Sequence, residues 1–247
     1  MKSTAPLDKN TLLSDSQMRV QGAWTAQNVT MINKGRAYME QGTAPSRSPA
    51  PVTNAPAVAD RPIPPLQRTA QKGQKLPLET AGKLSQVSAC LGWNVKNPQC
   101  DVDVSAFLLG NNGKVLGDTW FVFYGQTKSP DGSTIFSAGQ GADREAISID
   151  LTRLNPSVEK IVFVLTINDA IQNHLNFSMV KDAYIRILNH TGTELVSFMM
   201  DEYYSNVTSM MIGEMYRHNG AWKFNAIGSG VARDLAGLCE LYGVQVE

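Results

Sequence analysis

From about Lys83 onward, apolar and polar residues alternate with a period of two, and turn residues separate the runs. Such alternation sets one side of each segment against a core and the other toward solvent, as in antiparallel strands. The runs "VDVSAFLLG" and "KVLGDTWFVFYG" flank Asn112-Gly113, and "MMIGEMYRH" and "AWKFNAIG" flank Asn219-Gly220. Asn-Gly tolerates the positive φ angles of a type I′ turn, so both pairs predict hairpins. "AYIRILNH" and "ELVSFMM" predict a third around Thr191-Gly192-Thr193, whereas the unbroken apolar run "KIVFVLTI" suits a central strand covered on both faces. The predicted fold is all-β, a two-sheet antiparallel β-sandwich of about eight strands. Only "RDLAGLCELYG" departs from period two. It sets Val231, Leu235 and Leu238 at helical spacing before Gly243, which predicts a short C-terminal helix over one edge or end of the sandwich.

The front of the chain obeys different rules. The first 80 residues hold 9 of the 12 prolines and carry 10 Lys+Arg against 5 Asp+Glu, while the remainder carries 12 against 17. Proline removes backbone donors and disfavours helix at the preceding residue, so this composition predicts a Pro-rich extended arm ahead of the sandwich. The boundaries read as a docking segment over 1–43, a Pro-rich linker over 44–75 and the sandwich over 76–247. The docking segment carries Met18, Val20, Trp24, Val29, Met31, Ile32, Tyr38 and Met39, too many apolar groups for an inert tail. Two readings stand: a weak helix that folds back on its own domain, or an arm that engages a protein partner, an assembly or another copy of the chain. Its basic residues are dispersed, which argues against nucleic acid.

Composition narrows the chemistry further. No window approaches the roughly 20 apolar residues of a membrane span, and "MKSTAPLDKNTLL" lacks an apolar leader core, so a cytoplasmic chain without membrane contact is expected. Cys90, Cys100 and Cys239 show no CxxC spacing and read as free structural thiols. The chain has no GxxxxGK[ST], HExxH or GxSxG, and His174, His190 and His218 are widely separated, so no enzyme is predicted. Trp93, Trp120, Phe121, Phe123, Tyr124, Trp222 and Phe224 read as core and rim aromatics. What remains is "SAGQGADREAISID", Ser137 to Asp150, where two glycines frame a glutamine and Asp143 and Glu145 flank an arginine.

The segments "LGWNVKNPQCDVDVSAFLL", "FVFYGQTKSPDGS", "IVFVLTINDA" and "GEMYRHNGAWKFNAIG" resemble the TerD family of tellurium-resistance and stress proteins over roughly residues 76–246. The resemblance implies a β-sandwich that binds calcium through acidic loops, acts in tellurite and general stress resistance and has no established catalysis. It places the family's D-x-D-x-S-A-F on Asp101, Asp103, Ser105, Ala106 and Phe107, its acidic Gly-rich loop on Gly139 to Glu145, and its H-D-A on Asn168, Asp169 and Ala170. The implied calcium ligands are therefore Asp101, Asp103, Asp143, Glu145 and Asp169. The loop is shorter than the family's, Gln140 and Ala142 stand where acids are typical, and G-W-D becomes Gly92-Trp93-Asn94. By period two, Asp101 and Asp103 share a strand face, where two carboxylates repel unless a cation neutralises them. That cation is either Ca²⁺, in one weak site, or an arginine such as Arg144. Two functions stay open: a non-enzymatic binding module of stress resistance, or a structural component of a larger phage-like or contractile assembly, strapped by its arm and with a degenerate metal site.

Overall fold

A computed structural model describes residues 59–79 and 82–245, and the docking segment predicted over 1–43 lies outside them. The described chain runs through β1 (Lys75–Pro77), β2 (Gln86–Val95), β3 (Val102–Leu109), β4 (Phe121–Val122), β5 (Thr134–Ala138) and β6 (Glu145–Asp150). It continues with β7 (Lys160–Ile167), β8 (Val180–Asn189), β9 (Glu194–Met199), β10 (Ser209–His218), β11 (Ala221–Val231) and one helix, α1 (Leu235–Tyr242). These eleven strands, rather than about eight, form a six-stranded sheet in the order β1-β11-β10-β7-β3-β4 and a five-stranded sheet in the order β5-β6-β2-β8-β9. Pairing within both sheets is antiparallel.

The apolar pattern explains this arrangement. The "KIVFVLTI" run forms β7, hydrogen-bonded to β3 and β10, and every residue after Lys160 is buried. Asn219 and Gly220 both take positive φ, 52° and 77°, and close the β10–β11 hairpin as their dipeptide predicts. The Asn112-Gly113 turn also forms, with the Gly110 N–H donating to Lys114 O at 2.8 Å, but the return run does not remain a strand. It breaks into a 3-10 turn at Asp118–Trp120 and a two-residue β4, which pairs with β3 at Ala106 and Phe107, while Leu109 bridges Val115. Helix α1 starts on the Asp234 side chain, which accepts from the Gly237 N–H at 2.9 Å, and ends on Gly243 at φ 81°. Val231, assigned to the helix by spacing, instead closes β11 opposite Ser209.

Strand alternation fixes which side chains face inward. On β2, Val87, Ala89 and Leu91 are buried toward the other sheet, and their register partners Ile149, Ile147 and Glu145 share that face. Cys90 and Gly92, opposite Arg186 and Tyr184 on β8, face outward. On the other sheet, Asp103, Ser105 and Phe107 of β3 face outward, and the Phe107 ring packs 4.6 Å from that of Tyr242 on α1. Residues 60–75, within the Pro-rich stretch, lie along the sandwich. The Glu194 carboxylate accepts from the Gln67 and Arg68 N–H groups, Thr69 bridges Ser197 in parallel, and β1 then pairs with β11. Pro77 falls on an edge strand, where a missing donor is tolerated. Among the described residues no helix is long and apolar enough to cross a membrane.

Candidate functional site

The acidic "GQGADRE" segment is the connection between β5 and β6. It closes on itself through Gly139 N–H to Arg144 O at 2.7 Å and Asp143 N–H to Gln140 O at 3.2 Å. A side chain at Gly139 would meet the Asp143 carbonyl oxygen at 2.4 Å, so the close approach of the two arms of the turn requires glycine there.

Each acid in or beside this turn has a different fate. Glu145 opens β6 on its inward face, fully buried, and its Oε2 accepts from the Val104 N–H at 2.7 Å. β4 leaves that stretch of β3 uncovered, so a carboxylate from the opposite sheet takes the place of the missing strand. Asp143 turns to the outer face of the five-stranded sheet, where the Arg186 Nε and Nη2 donate to its two oxygens at 3.1 and 2.6 Å and the Tyr184 hydroxyl donates at 3.0 Å. This bidentate fork is the stronger form of an arginine–carboxylate contact. Gly92 lets it form, because a Cβ there would lie 2.4 Å from the Tyr184 ring. Burial, reinforced by the Asp143 charge, pushes the Tyr184 hydroxyl up, and the Asp143 contact raises Arg186. Burial and then Asp143 push the neighbouring Cys90 thiol up to about 12, so it is not a thiolate at neutral pH.

The remaining acids belong elsewhere. Asp101 is exposed ahead of β3, and its backbone oxygen accepts from the Asn168 N–H at 2.8 Å. Asp103, outward on β3, lines a cavity of about 30 Å³ with Asp169, Asp234, Tyr124, Thr166 and Gln172, between the six-stranded sheet and the start of α1. Asp169 sits there at φ 47°, a left-handed conformation that Asp adopts more readily than most residues.

These placements test the implied calcium. Asp103 and Asp169 share a cavity, Asp143 and Glu145 lie on other faces, and among the described residues no three His, Cys, Asp or Glu side chains converge to hold a metal ion. Calcium takes six to eight oxygens, and here the Asp143 carboxylate is held by an arginine and a tyrosine while Glu145 accepts a backbone N–H. The five residues as placed do not fit one calcium shell. Sequence reasoning missed Arg186, Tyr184 and Arg61, the cations and donors that serve the turn. Alternation in "AYIRILN" does place Tyr184 and Arg186 on one strand face, which is the signal for an arginine beside an aromatic that takes a carboxylate partner.

Residues 67–242 match the TerD domain. The tellurium resistance protein TerD of an Alcaligenes species is 42% identical over 175 residues, covering 67% of this chain and 91% of that protein. Its counterpart in Serratia marcescens is 40% identical over 183 residues, covering 70% of this chain and 95% of the other. General stress protein 16U of Bacillus subtilis is 40% identical over 187 residues, covering 71% and 96%. Sequence motifs, domain match and near full-length coverage of these relatives agree: the chain belongs to the TerD family.

Proposed function

We propose that this chain is a non-enzymatic binding module of tellurium and general stress resistance, acting in the cytoplasm through a protein partner reached by its N-terminal arm. The relatives named for tellurium resistance and general stress support the setting. The observation that carries the non-enzymatic part is the state of the groups able to do chemistry. Reduction of tellurite by the protein itself would call on an accessible thiolate. Cys90, Cys100 and Cys239 are free but buried, and burial raises them to about 12, 11 and 12. The cavity beside Asp103 has room for water rather than for a substrate. The arm's apolar content supports the partner.

The test is resistance without thiols. Deleting the gene from its host is expected to raise sensitivity to tellurite, and both the wild-type chain and a Cys90→Ala, Cys100→Ala, Cys239→Ala variant of unchanged melting temperature should restore growth. If only the wild type restores it, the protein takes part in the redox chemistry and the reading falls.

A further inference from the structure

We propose that the outer end of the five-stranded sheet is a docking site for an extended Asp-Arg segment, filled in this chain by its own Asp60 and Arg61. The docked arginine fastens the 139–144 turn in place of a divalent cation.

The site reads backbone and charge together. Asn94, at the outer end of β2, accepts from the Arg61 N–H through Oδ1 at 2.8 Å and donates from Nδ2 to the Arg61 carbonyl at 3.0 Å, as a neighbouring strand would. The same Nδ2 donates to Asp182 Oδ2 at 3.0 Å. An aspartate at 94, the residue the family motif carries, has no proton to donate and would set its carboxylate against a carbonyl and a second carboxylate. The departure Gly92-Trp93-Asn94 is thus what the docked segment requires.

Side chains complete the grip. Arg61 Nη1 donates to the Asp143 carbonyl at 2.8 Å, and Lys181 Nζ holds the Asp60 carboxylate at 2.6 Å. Backbone carbonyls of a turn are the oxygens a calcium loop would offer, and here a guanidinium takes one. Arg144 lies over the Trp93 ring at 5.7 Å and donates to Trp93 O and to Asn94 Oδ1. With Arg186 on the Asp143 carboxylate, three guanidinium groups meet one short turn and occupy its carboxylate and the Asp143 carbonyl, the oxygens a divalent cation would need. Arg61 and Arg144 both donate to Asn94 Oδ1, and burial followed by the Arg61 charge lowers the Arg144 guanidinium.

The test is amide hydrogen exchange on the full chain, read at Arg61, Asp143 and Arg144, in chelator and in millimolar calcium. Wild-type protection at these amides is expected to be the same in both buffers. Arg61→Ala and Asn94→Asp should each speed exchange at Asp143 and Arg144 at least tenfold while amides of β7 and β10 hold. A synthetic peptide with the sequence of residues 59–66 should restore the turn of Arg61→Ala. Arg61 is exposed, so its replacement leaves the fold in place. Loss of protection in wild type on chelation alone, or full protection in both variants, would overturn the proposal.

Discussion

Over the five-stranded sheet, Asp143 sits between Arg186 and Tyr184, with Arg61 and Arg144 on the same turn. Over the six-stranded sheet, Asp103, Asp169 and Asp234 line a cavity whose walls, among the described residues, hold no lysine or arginine. Both neighbourhoods come from segments that the family motif marks as acidic, yet the protein treats their charges differently. In the first, a buried carboxylate is held by a half-buried guanidinium. In the second, Asp103 lies buried on β3, Asp169 is a left-handed loop residue, and Asp234 caps α1 by accepting from the Gly237 N–H. The contrast teaches that the number of acids does not define a cation site. What matters is whether the fold has already supplied the cation.

The contrast breaks most visibly at Asp143. Replacing it with alanine leaves the half-buried Arg186 and the buried Tyr184 hydroxyl without their acceptor, which costs about 1–3 kcal/mol, less than a fully buried pair because Arg186 still reaches water. Urea unfolding of Asp143→Ala should show that loss, and a paired Asp143→Leu, Arg186→Leu variant should recover much of it. Equal stability of Asp143→Ala and wild type would mean that the ion pair is not what holds the turn.

A second substitution reaches the same cluster without touching a charge. At Gly92, the Cβ of alanine would collide with the Tyr184 ring, so the tyrosine must leave Asp143 or the strands must part. Overpacking of this kind costs about 1–3 kcal/mol. If Gly92→Ala melts like wild type, the tyrosine has room to move and its contact with Asp143 is dispensable.

The aspartates of the other neighbourhood should respond to backbone rather than to charge. Asp169 holds φ 47°, so Asp169→Ala is expected to cost about 1 kcal/mol and Asp169→Gly or Asp169→Asn much less. A large loss in Asp169→Asn would show instead that its charge matters, and the two faces would no longer differ in kind.

Much of this arrangement is legible in the sequence, and the part that is not has a physical reason. β7, the Asn219-Gly220 hairpin and the Gly243 helix stop follow from local pattern and turn chemistry. So does the inward aim of Glu145, because it alternates with Ile147 and Ile149 on one face. That alternation argues against a metal-loop role for Glu145, although the resemblance assigned it one. Asp143 and Arg186 lie 43 positions apart and meet only because β6, β2 and β8 are neighbours in the sheet. Strand order is not written in any local window. Nor is the contact of Arg61 with Asp143, 82 positions away, since proline content identifies an extended segment without saying what it lies against.

A third kind of carboxylate sharpens the comparison with the smallest effect. Asp131 has neither an arginine fork nor an acidic cavity. Its Oδ1 accepts from the Ser129 hydroxyl at 2.6 Å and from the Ser133 N–H and hydroxyl at 2.9 and 2.8 Å, and its Oδ2 accepts from the Asn155 N–H at 2.8 Å. Burial pushes its pKa up, but these donors outweigh burial and hold it below the usual carboxylate value. A carboxyl depressed on folding stabilises the native state above its unfolded pKa, and that stabilisation fades as pH falls through the lower folded value. Asp131→Asn should therefore be less stable than wild type at about pH 7, and the gap should close as pH falls below the ordinary carboxylate range and wild type is itself protonated. A gap that stays constant across that range would mean that the neutral amide fails on shape, through an NH₂ facing the Asn155 N–H, and that charge contributes nothing at this turn.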